Sequence, residues 1–492
     1  MSVPGQWTRQ DVLIGGRWVP AANGTYSIVD PSTEEAVGEA PDASAEQVYE
    51  ACRAARNAFE HGEWPTLSGV ERGQCLAAAA DRLERRAPEL VELAIAETGS
   101  TRAHSELAQV GVAIDRLRMY AELARESTAI AMHPLEREPI AGSSANLASG
   151  VTTLEPVGVV ACICPSNTPV TNCAGKVGPA LAMGNTVVLK PPVQDPLGMA
   201  EFAQELSECF PPGVINYVNG RSPELGEALV LSRDVDMISF TGSTHVGQRI
   251  AEVGGRTMKR LLLELGGKSA SIVFRDCDVE NAIRNCATTW TFHSGQMCVA
   301  PTRLLIERGF FDEFVHRMVE FGNSLPVGST HDPATIVGPM ISQPHMNHVV
   351  EIVERSLAEG ANIACGGRRH PGSGKGYLYE PTLLTNVRND MEIAQQEVFG
   401  PVIAAIPFDD EEEAIRIAND SEFGLYGYVW SGDTARGVRI AQGMRTGTIQ
   451  VNGAPPNPWA PFGGFKQSGL GRDGGRFGLS AYSEPKYVGW AC

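Results

Sequence analysis

Pro156-Val157-Gly158-Val159-Val160-Ala161-Cys162-Ile163-Cys164-Pro165 is the stretch that decides the fold. Between its two prolines no residue carries a charge. A strand with one wet face alternates apolar and polar residues. A continuous apolar run bounded by proline reads instead as a strand buried on both faces, as in a parallel sheet covered by helices. The same signal returns over residues 186–189, 214–218 and 237–240. Helical patterns lie between, over residues 175–183, 197–209, 224–231 and 246–253. Alternation of this kind builds a parallel sheet joined by right-handed crossovers. Such sheets take ligands beyond the carboxyl ends of their strands. Pro165, Asn167, Lys190, Gly242 and Ser243 all fall there. No G-x-G-x-x-G follows any of these strands, so the usual dinucleotide fingerprint is missing.

Working outward, residues 12–37 read as short strands with turns, and residues 12–19 have the look of a hairpin around Gly15-Gly16. Ser44 with Gln47 makes a capping box for a helix whose apolar face is Val48, Ala51, Cys52, Ala55 and Phe59. Two more helical stretches are expected over residues 70–97, divided at Pro88, and over residues 105–126. Residues 133–149 shift to Pro, Gly, Ser and charge, and residues 151–155 alternate like a strand. From Glu264 a second αβ unit begins. Its strands are expected at residues 303–307, 404–407 and 448–452, and its helices at 311–325, 345–359, 411–419 and 434–444. Residues 468–478 are glycine-rich and are expected to form a loop. Residues 481–489 alternate like an edge strand.

Composition bounds the class. The chain has 492 residues, 43% hydrophobic and 20% charged, which describes a globular protein of about three structural units. Its net charge of −18 argues against nucleic acid and anionic membrane as partners. No run approaches the roughly 20 apolar residues that span a bilayer. Residues 1–6 lack the basic start and apolar core of a secretory signal. Eleven cysteines show no framework spacing and no paired Cys/His sets, so neither disulfides nor a metal site is expected. A reducing, cytoplasmic setting follows.

Two residues carry the chemistry. In Ser294-Gly295-Gln296-Met297-Cys298-Val299-Ala300 a thiol follows an amphipathic helix, residues 279–290, that Asp276 or Asp278 can cap. Any one cysteine is most simply a small buried hydrophobe. This one has Leu263-Glu264-Leu265-Gly266-Gly267-Lys268 upstream, where one carboxylate ends an apolar run. A glutamate buried there is costly unless paired or functional, and burial raises its pKa toward a useful base. Cys298 as nucleophile and Glu264 as base suit a thioester mechanism in which the base activates the releasing water.

Leu-Glu-Leu-Gly-Gly-Lys followed about thirty residues later by Gly-Gln-Met-Cys resembles the aldehyde dehydrogenase superfamily. The resemblance runs over nearly the whole chain, in family order. It takes in Asn167 after Pro165, Leu189-Lys190-Pro191, Phe240-Thr241-Gly242-Ser243-Thr244, Glu397-Val398-Phe399-Gly400-Pro401 and Pro461-Phe462-Gly463-Gly464-Phe465-Lys466-Gln467-Ser468-Gly469. It implies a variant Rossmann domain without the fingerprint at residues 1–127 and 150–262, and a catalytic αβ domain at 263–465. Residues 128–149 and 466–492 become an oligomerisation arm and tail of a homodimer or homotetramer. The implied cofactor is NAD or NADP. Lys190 and Glu397 then hold the two riboses, Gly242, Ser243 and Val246 the pyrophosphate, and Cys164, Pro165, Ser166, Leu265, Gly266 and Phe399 line the same site. Asn167 and the Cys298 N–H stabilise an oxyanion, and Lys176 helps relay the proton of Glu264. The substrate is an aldehyde.

Departures from the family pattern matter for specificity. Many relatives carry aromatics where this chain has Thr168 and Gly175, both in the substrate tunnel by resemblance, which predicts a wider channel. Trp459 is expected at its mouth, with Met297 and Val299 flanking the thiol. Val193 stands where NAD-preferring relatives carry glutamate, so NADP is expected to be accepted. A CoA-acylating relative is the alternative enzyme, but that class generally lacks the glutamate seen at 264. A silent binding protein keeping the fold would have lost the nucleophile or base, and both are present.

Overall fold

The computed structural model describes residues 7–136, 147–371 and 374–491. Part of the linker-like stretch 133–149 and the N-terminal residues 1–6 lie outside them. Two large sheets and a small one organise the chain. The first has eight strands in the order Gly469–Leu470, Arg260–Glu264, Met237–Thr241, Val159–Ile163, Thr186–Lys190, Ile215–Tyr217, Asp11–Ile14 and Arg17–Pro20. Its five central strands run parallel. The strand Val159–Ile163 is buried at every position because its residues alternate between two cores. Val160 and Cys162 face one cluster, with Tyr120, Val177 and Leu181. Val159, Ala161 and Ile163 face the other, with Val48, Leu229 and Ile250. That two-sided burial is the physical cause of the uninterrupted apolar run. Strand order reverses beside this strand: Thr186–Lys190 pairs on one side and Met237–Thr241 on the other. A ligand crevice is expected at this switch point.

The hairpin Asp11–Ile14 with Arg17–Pro20 turns on Gly15 and Gly16, both at positive φ, as a two-residue hairpin turn requires. The helix Ala45–His61 has the capping box at Ser44 and Gln47. Helices Gly69–Arg85 and Ala87–Thr98 divide at Pro88, which sits in the first turn of the second. The single helix expected over 105–126 is broken: Ser105–Gly111 is a π-helical turn and Val112–Leu123 is α-helical. The helix expected from 175 begins earlier, at Pro169, and runs to Ala182. Its β-branched first turn, Val170-Thr171, hides it from a propensity reading.

The second sheet has seven strands, in the order Asn362–Cys365, Thr382–Thr385, Val402–Phe408, Arg303–Glu307, Ala270–Val273, Tyr426–Trp430 and Thr448–Val451. All pairings but the first are parallel. It too is covered on both faces. The stretch 468–478, expected as a loop, instead holds the short strand Gly469–Leu470 and the start of the helix Gly475–Ala481. Glycine is needed there for contact: a Cβ at Gly478 would meet the Tyr120 hydroxyl at 2.7 Å. The third sheet is antiparallel, Ser483–Ala491 against Leu147–Pro156 against Ala129–Glu136.

Candidate active site

Asp278 caps the helix Val279–Thr291, accepting the Asn281 N–H at 3.2 Å. The chain then turns sharply. His293 (φ 47°) and Ser294 (φ 56°) both stand in the left-handed region, a costly conformation that neighbouring bonds must hold. Ser294 Oγ donates to the Gly338 carbonyl at 2.7 Å. Gln296 Oε1 accepts the Ile341 N–H at 2.8 Å, and its Nε2 donates back to the His293 carbonyl at 3.1 Å. Gly295 (φ 70°) has no room for a Cβ beside the Gly400 carbonyl. The glycine and glutamine before the thiol thus have separate jobs: one makes the turn and the other ties it down. On the opposite side a Cβ at Gly267 would lie 2.5 Å from the Cys298 carbonyl oxygen, so the Leu-Glu-Leu-Gly-Gly run and the thiol turn lie against each other.

Cys298 is half-buried against Leu425, Tyr426 and Tyr428, with Val299 and Phe462 alongside. Tyr428 OH donates to the Val299 carbonyl at 3.0 Å. Burial pushes the thiol up to about 12; Glu397 and Glu264 add to this, and the N–H groups of Cys298 and Val299 oppose it. Asn167 is buried, and its Nδ2 donates to the Gln296 carbonyl at 2.9 Å and approaches Met297 Sδ at 3.8 Å. Its own carbonyl accepts from Gln109 Nε2 at 3.3 Å, out of the π-helical turn. Asn167 is thus bonded to the turn that carries Cys298.

Glu264 ends the strand Arg260–Glu264, 4% exposed, and neither carboxylate oxygen has a hydrogen-bond partner. Burial raises its pKa well above 4.5; Asp473 raises it further, while Lys176 and Arg472 oppose. A Cβ at Gly463 would lie 2.5 Å from Glu264 Oε1, so this glycine leaves the carboxylate its space. Lys176 is buried and donates from Nζ to Ser239 Oγ at 3.3 Å, which bonds the Tyr482 hydroxyl at 2.7 Å. Asp473 is a functional candidate that the sequence reading missed. Its Oδ1 is buried without a partner, and burial raises its pKa, opposed by Lys176 and Arg116. The available signal was one acid set among glycines, in a stretch dismissed as a loop.

The cofactor candidates gather at the switch point. Ser243 caps the helix Thr244–Gly255, accepting the Val246 N–H at 3.4 Å, and both residues are exposed. Gly242 donates its N–H to the Glu264 carbonyl at 3.1 Å. Leu265 is buried. Cys164 donates its N–H to the Lys190 carbonyl, and Pro165 and Ser166 follow half-buried. Lys190 Nζ donates to the Pro191 carbonyl at 3.1 Å, and burial lowers its pKa to about 8. Glu397 Oε1 accepts the Gly267 N–H at 2.9 Å, and a Cβ at Gly266 would strike its other oxygen. Phe399 sits at φ 55°, strained for an aromatic, with its carbonyl bonded to His345 Nε2 at 2.8 Å. An exposed helix N-terminus, a lysine and a carboxylate thus stand at the ends of these elements, and Gly266 and Gly267 let Glu397 come close to the backbone. That donor set fits a dinucleotide.

Among the tunnel candidates, Met297 and Val299 flank the thiol half-buried, and Trp459 is exposed. Thr168 is buried, and its Oγ1 accepts from Asn172 Nδ2 at 2.6 Å. The space beside Gly175 is taken: a Cβ there would lie 2.5 Å from Arg116 Nη1. A channel widened at this position is therefore not what the structure has. Tyr426 and Tyr428, also unread from sequence, put two more rings beside Cys298; Tyr426 lies 5.2 Å from Tyr428 and 6.5 Å from Phe462, centroid to centroid. The signal was two tyrosines at a spacing of two, facing one side of a strand that was not foreseen.

Residues 18–488 match the profile of the Aldehyde dehydrogenase family. The chain belongs to this family. Among characterised aldehyde dehydrogenases it is 38% identical to betaine aldehyde dehydrogenase of Bacillus subtilis (strain 168) over 484 residues, 97% of each chain. It is also 38% identical to retinal dehydrogenase 2 of Homo sapiens over 483 residues, 97% of this chain and 91% of that one. Among solved structures it superposes on betaine aldehyde dehydrogenase from Staphylococcus aureus in complex with NAD+ with a TM-score of 0.93. That match is at 34% identity and covers 98% of this chain and 95% of the other. This aldehyde dehydrogenase is an oxidoreductase acting on an aldehyde group through a cysteine. No helix among its described residues is long and apolar enough to cross a membrane.

Proposed function

We propose that this aldehyde dehydrogenase releases a free carboxylic acid, with Cys298 as nucleophile and Glu264 as the base that activates the deacylating water. The observation that carries the reading is the buried, unpartnered Glu264 carboxylate on the segment packed against the Cys298 turn. Cys298, as thiolate, adds to the aldehyde carbonyl. Asn167 Nδ2 and the Cys298 N–H are the donors within reach of the oxyanion, and removing one such donor typically costs about 10²–10³ in rate. A bound NAD or NADP supplies one thing, an acceptor for the hydride that the thiohemiacetal carbon gives up. Glu264 then takes a proton from water, which hydrolyses the thioester. Lys176 helps relay that proton, handing one of its own ammonium protons on toward Ser239 Oγ as it receives the one from Glu264. Exclusion of bulk water by the Tyr426, Tyr428 and Phe462 rings strengthens each of these interactions.

Lys190 and Glu397 would hold the riboses, and the start of the helix at Ser243 the pyrophosphate. NADP is accepted alongside NAD, because Val193 is half-buried and brings no charge to repel a 2′-phosphate; its carbonyl accepts from Tyr26 OH at 2.9 Å. The enzyme assembles as a homodimer or homotetramer through the three-stranded sheet, which leaves Ile130, Met132, Tyr487, Val488 and Trp490 exposed. The ten described cysteines are all free, which suits a reducing cytoplasmic setting. A panel of aldehydes assayed for reduced cofactor, with NAD and NADP in parallel and the acid product quantified, tests the reading. Acid formed in step with reduced cofactor is expected. Turnover only on addition of coenzyme A would point to the acylating class.

A further inference from the structure

We propose that the preferred substrate is an aldehyde carrying a carboxylate at its far end, and that the Arg116 guanidinium binds this carboxylate. The inference rests on the aldehyde oxidation argued above. Arg116 comes from the helix Val112–Leu123 into the space that the missing side chain of Gly175 leaves. It is half-buried, and its Nη1 donates to the Thr171 carbonyl at 2.8 Å. Among the described residues no carboxylate lies within ion-pair distance of it. Two neighbours relate this guanidinium to the reaction site, the Thr171 carbonyl it binds and Asp473, whose pKa it lowers. On one side, Thr171 stands in the first turn of the helix that follows Asn167, and Asn167 is bonded to the turn carrying Cys298. On the other, Asp473 exchanges both backbone hydrogen bonds with Phe462, at 2.8 and 2.7 Å, and Phe462 and Cys298 pack against the same cluster of Leu425, Tyr426 and Tyr428.

The charged groups sharing this space are Asp473, Glu264, Lys176 and Arg472. Burial raises the pKa of both carboxyls; Lys176 opposes this at each, Arg472 at Glu264 and Arg116 at Asp473. A guanidinium with donors left over is a planar fork matched to a carboxylate. Charge-assisted hydrogen bonds of this kind separate a carboxylate from a neutral isostere by roughly 10- to 150-fold.

The test compares kcat/KM of the full-length enzyme with saturating cofactor for succinate semialdehyde against butanal, and adipate semialdehyde against hexanal. Each pair shares its carbon count and differs in the terminal carboxylate. In at least one pair the carboxylate member is expected to lead by about 10-fold or more, with the lead shrinking as salt is raised. Arg116→Gln should lower that ratio by about 10-fold or more, and Arg116→Lys should keep most of it. Neutral aldehydes turned over with no preference for the charged partner would overturn the proposal alone. So would equal losses for both members in Arg116→Gln, which would make Arg116 only an anchor for Thr171. If Arg116→Gln does not fold, a parental ratio indifferent to salt overturns it. No turnover of either class would remove the aldehyde reading, and this proposal with it.

Discussion

Glu264→Gln separates the two halves of the catalytic cycle. The side chain is 4% exposed and makes no hydrogen bond, so an amide of the same volume fits without breaking one. What is lost is a proton acceptor. A positioned general base contributes about 10²–10⁴ in rate, and the steady state should fall by that factor. Formation of the thioester does not need this base, so a single-turnover burst of reduced cofactor should survive. The pH profile should change as well. In the parent, acid release rises with pH as Glu264 ionises, above its ordinary 4.5 because of burial and Asp473. In Glu264→Gln that limb should vanish. Stability gives an independent sign. A carboxyl whose pKa is raised on folding binds more protons in the native state, so the parent loses stability as pH climbs from about 4.5 toward the raised value. Glutamine does not ionise, and the variant should gain on the parent by up to about 1.4 kcal/mol per pH unit through that window. The assays are a quenched-flow burst measurement and urea denaturation at two pH values. Burst and steady state falling together, or a surviving pH limb, would refute the role.

Gly463→Ala should cost about 1–3 kcal/mol, because φ 147° is a glycine conformation and the new Cβ would press on Glu264 Oε1; parental melting temperature and turnover would contradict this. Val193→Glu should weaken NADP far more than NAD, since a like charge at partly screened range is worth about 1–4 kcal/mol, roughly 5- to 1000-fold. An unchanged NADP/NAD ratio, or no NADP turnover in the parent, would sink that reading. Val488→Asp, on the exposed face of the third sheet, should shift the assembly toward smaller species in light scattering. A monomeric parent would end the argument.

The parallel sheet around Val159–Ile163 was legible because two-sided burial leaves its mark on every residue of a strand. Cys298 and Glu264 were legible because each is chemically out of place, a thiol after a forced turn and an acid in an apolar run. The strands Ala270–Val273 and Tyr426–Trp430 were not. One is four residues long and the other contains a glycine, so neither resembles a strand until its neighbours on both sides are in place. The pairing of Gly469 with Glu264 is set by close backbone contact some 200 residues apart in sequence, which local patterns do not encode. The same limit hid Asp473 and Arg116. A glycine at 175 read as empty space, when what matters is which side chain from another helix enters it.

Whether Cys298 forms the covalent intermediate is tested most directly by locating the acyl group. Glu264→Gln enzyme, loaded with cofactor and mixed with an oxidisable aldehyde, should accumulate thioester. Acid quenching, digestion and peptide mass spectrometry then locate the acyl group. One acyl adduct is expected, on the peptide containing Cys298, absent when cofactor is omitted and absent in Cys298→Ala. An adduct on any other cysteine, or parental turnover in Cys298→Ala, would contradict this.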